Sequence, residues 1–305
     1  MNASLTTTHA SKDVTRLPPW LKKRLIISRS TGRVARAVEK YRLKTVCREA
    51  SCPNTMECFA AGTATFIVLG DTCTRNCGFC GVKKGLPRDI VDTGDINVVR
   101  GIEDNEPQRL AGAVQSLGLR HVVVTSVTRD DLPDGGSVHF SKVVHALKGC
   151  KDLGIEVLVP DFGGVLENVR RVVEAGPDVF AHNVETVPRL YPRVRPEARY
   201  KRTLHVLEFA GKTCKNASRD MRIKSGLMLG LGETRQEVLE VLRDLVRVGC
   251  QMITIGQYLR PSRNQLPVER FVTPEEFKEY AEAARALGFS EVLSGPFVRS
   301  SYRLV

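Results

Sequence analysis

An α/β fold with a parallel sheet is what this sequence predicts, and three observations predict it. Six short β-branched or apolar runs recur after residue 60, each is followed by a stretch of helical periodicity, and the unusual residues cluster just beyond the C-terminal ends of the runs. Near-continuous apolar strands alternating with amphipathic helices imply a sheet covered by helices. Six such units build either an open doubly wound sheet or a partial barrel, and both folds assemble their sites at the C-terminal strand ends.

Taken in order, residues 1–60 lack this alternation and form an N-terminal extension. Met1–Pro19 carries Ser and Thr without an apolar h-region, so it reads as a disordered lead-in and not as a secretory signal. A basic helix over Trp20–Tyr41 and a cysteine loop follow. The body, residues 61–291, places strands at Thr65–Leu69, His121–Thr125, Ile155–Pro160, Asp178–Asn183, Ile223–Leu229 and Met252–Gln257. Its helices are expected at Glu106–Leu117, Val138–Leu153, Val165–Ala175, Lys201–Cys214, Glu233–Val248 and Pro274–Leu287, several closed by Gly118, Gly154, Gly176, Gly249 or Gly288. Residues 292–305 read as a short irregular tail.

The chain of 305 residues is long enough to bury a sizeable core. No apolar run approaches the roughly 18 residues that a membrane-spanning helix needs, so a cytoplasmic protein without a membrane partner is expected. Lys and Arg number 46 against 34 Asp and Glu, a net charge of +12. Of this surplus, +8 falls in residues 1–60, where 12 basic residues face 4 acids, and Arg189–Arg202 adds six basic residues with one acid. Such asymmetry marks either a solvated basic face or a polyanionic partner: nucleic acid, membrane surface or acidic protein. An RNA-binding module is disfavoured, because aromatic residues are only 6% and no stacking platform is evident.

Six of the nine cysteines fall between residues 47 and 80. That clustering and the odd total argue for metal or cluster ligation in a reduced compartment, not for a disulfide framework. Cys150, Cys214 and Cys250 lie singly near helix ends and read as small core residues. Directly after the first strand stands Cys73-Thr-Arg-Asn-Cys77-Gly-Phe-Cys80. Three thiolates within eight residues can wrap one corner of an iron–sulfur cubane and leave its fourth iron without a protein ligand. A zinc site would need a fourth ligand, yet no His lies within forty residues of this motif. A second trithiolate group, Cys47-x4-Cys52-x5-Cys58, is separated from the first by fourteen residues and points to a second cluster.

The first motif, with its aromatic before the last cysteine, resembles that of the radical S-adenosylmethionine enzymes. The second, together with Gly62-Thr-Ala-Thr-Phe66 and Arg299-Ser-Ser-Tyr302, resembles the lipoyl synthases within that superfamily, along nearly the whole chain from Leu17-Pro-Pro-Trp to Tyr302. Radical enzymes of the biotin-synthase and methylthiotransferase kinds also carry two clusters, but they lack this second spacing and tail. The resemblance implies a partial (β/α)6 barrel of the radical S-adenosylmethionine type, with an N-terminal cluster-binding extension and a short tail. It implies two 4Fe-4S clusters. Cys73, Cys77 and Cys80 would hold the catalytic one; Cys47, Cys52 and Cys58, with Ser301 as fourth ligand, would hold an auxiliary one that is consumed as sulfur source. The reaction implied is a sulfurtransferase reaction, insertion of two sulfurs at carbons 6 and 8 of an octanoyl chain carried on a lysine.

The implied partners are octanoylated lipoyl domains of 2-oxoacid dehydrogenase complexes, the glycine-cleavage carrier protein, an electron donor such as flavodoxin or ferredoxin, and cluster-assembly proteins. Lipoyl domains are commonly acidic, which gives the basic surplus a use. Candidate cosubstrate contacts follow the strand ends: Thr125, Arg129 and Asp130 after the second, Asn183 and Glu185 after the fourth, and Gly230 and Glu233 where the fifth strand opens a helix. Asn183 and Glu185 suit ribose hydroxyls, and Arg129 or Asp130 the charged methionyl end. The sequence departs from the family at Asn264-Gln265, where a basic residue and His are usual, and ends three residues after Tyr302.

Overall fold

The structure is a computed structural model that describes residues 16–22, 29–49, 52, 54–87, 98–99, 102–216 and 220–302. The lead-in up to residue 15 and the Lys23 to Ser28 part of the expected basic helix lie outside the described residues. Within them, Trp20 belongs to a 3-10 turn, Pro19–Leu21, and the helix proper is α1 (Arg29–Lys40).

Eight strands make the main sheet: β1 (Lys44–Thr45), β2 (Thr63–Val68), β3 (His121–Ser126), β4 (Gly154–Leu158), β5 (Val179–Ala181), β6 (Arg222–Leu229), β7 (Met252–Gln257) and β8 (Glu291–Gly295). Their order in space is their order in the chain. β1 is an antiparallel edge on β2, and β2 to β8 are parallel throughout. A doubly wound sheet reverses its strand order at a switch point, and this sheet does not. Right-handed crossovers in one direction place every helix on the same face, so the sheet curls into a barrel. Among the described residues no strand pairing joins β8 back to β1 or β2, which leaves the barrel partial.

The outer layer consists of α2 (Glu106–Leu117), α3 (Ser137–Lys148), α4 (Leu166–Ala175), α5 (Tyr200–Asn216), α6 (Arg235–Arg247) and α7 (Pro274–Leu287). Among the boundaries that differ from the sequence expectation, two have clear local reasons. α3 stops at Lys148 because Gly149 caps it, and Gly154 opens β4 instead of closing a helix. α6 starts at Arg235 because Thr234 and Glu237 form a reciprocal capping box. The larger difference is β8, which occupies the start of the expected irregular tail. All five of its residues are only half-buried, so it has neither the apolar run nor the strict alternation that marks a core strand.

The core lies between sheet and helices, where Phe140, Val143 and Val144 of α3, Val169 and Val172 of α4 and Leu242 of α6 are fully buried. Inside the barrel, near the N-terminal strand ends, the chain buries charge. Lys224 Nζ meets Glu156 at 2.7 Å, and His121 Nε2 stands 3.6 Å from the same carboxylate. This polar floor closes the barrel at the end opposite to the motif loops.

Candidate functional site

At the C-terminal strand ends a cavity of about 530 Å³ opens, and both trithiolate groups line it. Cys73, Cys77 and Cys80 reach it from the loop after β2, Cys47, Cys52 and Cys58 from the extension, and Ser301 from the tail. Cys150, Cys214 and Cys250 are buried elsewhere.

The loop carrying Cys73 to Cys80 is tied to its surroundings on every side. Thr74 N and its hydroxyl both donate to Thr128 O at 3.0 Å, and Thr128 N donates to Cys73 Sγ at 3.4 Å. Gly78 N donates to Val194 O at 2.9 Å, and Leu266 N donates to Gly78 O at 2.9 Å. A Cβ on Gly78 would stand 2.9 Å from Leu266 and 3.0 Å from Arg193 O, so this loop needs glycine to sit so close. Gln265, at the departure from the family pattern, extends its amide toward Cys80 O at 3.4 Å.

The second group is closed by the tail. Asn54 precedes the helix Thr55–Ala60 without capping it, because its amide donates instead to Phe297 O at 2.6 Å. Over β7 the tail comes so close that a Cβ on Gly256 would lie 2.0 Å from Val298 O. Arg299 donates to Val298 O at 2.8 Å, and burial lowers its pKa against the opposing pull of Cys52. Burial raises the pKa of Tyr302, and the nearby Glu57 and Cys58 add to the rise. Ser301 lines the same cavity as Cys47, Cys52 and Cys58.

Burial pushes the thiols of Cys47 and Cys77 up to about 11 and raises that of Cys80; at Cys77 the nearby Arg195 opposes the rise. Loading metal on these cysteines must therefore release protons. Among the described residues no three His, Cys, Asp or Glu side chains are gathered as ligands of a single metal ion. A cubane holds its thiolates on separate irons, farther apart than the ligands of one ion, and two sets of three thiols on one cavity fit that donor pattern.

Of the expected cosubstrate residues, Thr125, Asn183 and Glu185 line the cavity. Thr125 donates to Leu158 O at 2.9 Å. Glu185 has a left-handed backbone, φ 62°, held by Glu185 N to Gly226 O and Met228 N to Glu185 O, both 2.9 Å. Its carboxylate accepts from Asn183 Nδ2 at 3.0 Å, and burial raises its pKa against the pull of Arg195. A Cβ on Gly226 would lie 2.7 Å from Asn183 Oδ1, so glycine lets the β6 backbone pass under this pair.

Arg129, Asp130, Gly230 and Glu233 do not line it. Arg129 is fully buried as a strap, paired with Asp131 at 2.7 Å and donating to Leu69 O at 3.0 Å. Asp130 faces a neighbouring pocket and receives Arg75 at 2.7 Å. The backbone amides of Gly230 and Leu231 do converge on a carboxylate, but it is Glu233 of the same turn, at 2.6 and 2.9 Å. That anion site is filled from within.

Among the cations that line the cavity, with Arg75, Lys84, Arg260 and Arg299, is Arg195, which sequence reasoning read as part of a surface patch. It is 8% exposed, donates through Nη1 to Asn183 O at 2.8 Å, and its Nε has no hydrogen-bond partner. The only signal for it in the sequence was position: it lies in the segment after the fourth strand, where it closes the short helix Tyr191–Val194.

Residues 67–245 match the radical SAM superfamily. A lipoyl synthase of Caldanaerobacter subterraneus is 53% identical over 94% of this chain and 95% of its own length. One of Caldicellulosiruptor bescii is 51% identical over 93% of each chain. Among solved structures, methylornithine synthase superposes with a TM-score of 0.50 at 14% identity, covering 88% of this chain and 79% of that one. Streptococcus suis SuiB bound to its precursor peptide gives 0.54 at 10% identity, over 87% and 52%. At these identities the structures show the fold alone, which is the partial barrel described above. The conserved scale of the sequence match carries the rest: this chain belongs to the lipoyl synthase family of radical S-adenosylmethionine sulfurtransferases, enzymes that work with that cosubstrate and with 4Fe-4S clusters.

Proposed function

We propose that this enzyme inserts sulfur at carbons 6 and 8 of an octanoyl chain attached to a lysine of a lipoyl-carrier domain, with the cluster of Cys47, Cys52, Cys58 and Ser301 as the sulfur source. One observation carries the reading: both trithiolate groups and Ser301 line a single cavity. When bound, the catalytic cluster and its cosubstrate supply one electron to split the sulfonium and a 5′-deoxyadenosyl radical to abstract hydrogen, once for each carbon. Two cosubstrates are spent.

The chain's own residues receive and orient these groups. Arg195 offers a buried cation to the cosubstrate carboxylate, while Asn183 and Glu185 face its ribose hydroxyls. Ile67, Phe79, Leu158, Leu227 and Met228 give the cavity apolar walls that suit an eight-carbon chain and exclude water from a radical. Ser301 is a harder and weaker partner for iron than a thiolate, so it can leave when the auxiliary group is attacked. The carriers served are octanoylated lipoyl domains of 2-oxoacid dehydrogenase complexes and the glycine-cleavage carrier, with flavodoxin or ferredoxin as electron donor and cluster-assembly proteins restoring the spent sulfur. No helix among the described residues is long and apolar enough to cross a membrane.

The test is anaerobic incubation of the cluster-loaded enzyme with reductant, S-adenosylmethionine and an octanoylated lipoyl domain, followed by mass spectrometry of the domain. A gain of two sulfurs supports the reading, and no gain by a fully loaded enzyme overturns it. Ser301→Ala should still form 5′-deoxyadenosine while sulfur transfer falls by at least about tenfold, the order expected when a ligand to a metal group is lost.

A further inference from the structure

Arg75 lies between the first two ligands of the catalytic group, in Cys73-Thr-Arg-Asn-Cys77, and is 6% exposed. An arginine in a loop at a cavity mouth would ordinarily extend into water. Here it turns inward. Its Nε and Nη2 donate to the two oxygens of Asp130 at 2.7 and 2.9 Å, and Nη2 also donates to Asp161 Oδ1 at 2.6 Å.

The two carboxylates come from different strand ends. Asp130 follows β3, and Asp161 follows β4, where it caps a 3-10 turn by accepting from Gly163 N at 3.1 Å. Asp161 is fully buried, and its other oxygen forms an ion pair with Arg202 Nε at 2.8 Å without hydrogen-bond geometry. Each buried charge thus has its partner, and the whole set fixes one loop to two strands of the barrel and to α5. A planar guanidinium with a forked set of donors can hold both carboxylates at once; an ammonium of similar reach is a point charge and cannot.

We propose that Arg75 is a positioning residue for cosubstrate cleavage: it fixes Cys73 and Cys77 against the strand ends, on the cavity that Arg195, Asn183 and Glu185 also line, where these cysteines would hold the catalytic cluster. The other ties of this loop are hydrogen bonds of backbone and Thr74 and single side-chain bonds with Gln265, Lys84 and Glu197, whereas the Arg75 fork joins the loop to two carboxylates at once. The inference rests on the radical S-adenosylmethionine assignment and not on sulfur insertion.

The experiment uses the full chain, reconstituted anaerobically, with reductant and S-adenosylmethionine but no carrier domain. Iron content, kcat and KM for 5′-deoxyadenosine formation, and the electron paramagnetic resonance signal of the reduced protein with and without cosubstrate are measured. Asp130→Asn is the gentler variant, because the Asp130 side chain is 43% exposed and its loss leaves Arg75 paired with Asp161. At parental iron content it should lose about tenfold in kcat with KM little changed, and its signal should respond less to cosubstrate. Arg75→Lys, which keeps charge without the fork, should lose about 10²-fold, the cost of misplacing a reacting centre by roughly 1 Å. Parental kcat and parental signal in loaded Asp130→Asn, with only a lower melting temperature, would overturn the proposal, as would full activity in Arg75→Lys. If Arg75→Lys takes up no cluster, Asp130→Asn decides alone. Parental enzyme that forms no 5′-deoxyadenosine would instead indict the chemistry.

Discussion

His182 shows how far one side chain at the strand ends is specialised by burial. It follows β5, is 1% exposed, and its Nδ1 donates to Val159 O at 2.8 Å while Nε2 stands 3.3 Å from Thr203 Oγ1. Burial, with Arg195 next in effect, pushes its pKa from 6.5 down to about 4. The folded chain therefore refuses a proton that the unfolded chain accepts, and stability falls as pH drops from 6.5 towards 4. At one pKa unit per 1.36 kcal/mol, that window amounts to about 3 kcal/mol. His182→Gln should flatten the loss between pH 6.5 and 4, whatever it costs at neutrality. Denaturant midpoints of both proteins in the same cluster state, taken across this range, check it; parallel curves would contradict it. Nothing in the sequence distinguished His182 from an ordinary core histidine, since the shift comes from neighbours that only the fold assembles. Arg195 and Arg75 escaped notice for the same reason. Charged residues read as surface in a sequence, and only tertiary contact reveals a buried one. The six cysteines that gather on the cavity were legible because their spacing along the chain is itself the signal.

At the scale of elements, what could be read from the chain was whatever repeats. The apolar runs and helical periods placed six strands and six helices, because each element must bury one face against its neighbours. β8 was missed because it is half-buried along its length, and the sequence did not show that the amides of the Gly230–Glu233 turn are satisfied by its own carboxylate. Closure of the tail over β7 also left no local mark beyond a glycine. Gly256 now has a stated reason, the approach of Val298 O, and it yields a prediction. Gly256→Ala must push the tail outward, at a cost of about 1–3 kcal/mol for overpacking. Displacing the tail removes Ser301 and the Asn54 to Phe297 bond from the second cysteine group. Iron should fall from about eight to about four per chain, with the catalytic cluster retained. Iron and sulfide analysis beside a melting curve checks this, and full iron content with an unshifted midpoint would show that the tail does not close the group.

Over the whole molecule the positive charge is less free than its total implies. Within the second basic stretch Arg189 pairs with Glu237, Arg193 with Glu269 and Arg202 with Asp161, each within 2.8 Å, and Arg195 is buried. Four of the six basic residues of that stretch thus serve the protein's own structure, while Arg199 and Lys201 are exposed. Exposed positive charge remains on the N-terminal extension, at Lys22, Arg36, Lys40 and Arg42, and at Lys83 and Lys84. Lys83 and Lys84 form a short strand paired with Thr72–Cys73, and Lys84 Nζ donates to Cys77 O at 3.0 Å, so this pair borders the catalytic loop directly. Attraction of an acidic carrier domain to such a surface speeds encounter more than it tightens the complex, and it weakens once salt shortens the Debye length to about 8 Å at physiological strength. Raising ionic strength should therefore lower kcat/KM for the octanoylated domain by about tenfold or more, while cosubstrate cleavage without the domain changes little. Replacing Lys22, Arg36, Lys40 and Arg42 by glutamine should lower the low-salt rate and flatten its salt dependence. If the rate is unchanged and salt still inhibits, the extension does not steer the carrier, and Lys83 becomes the next residue to neutralise.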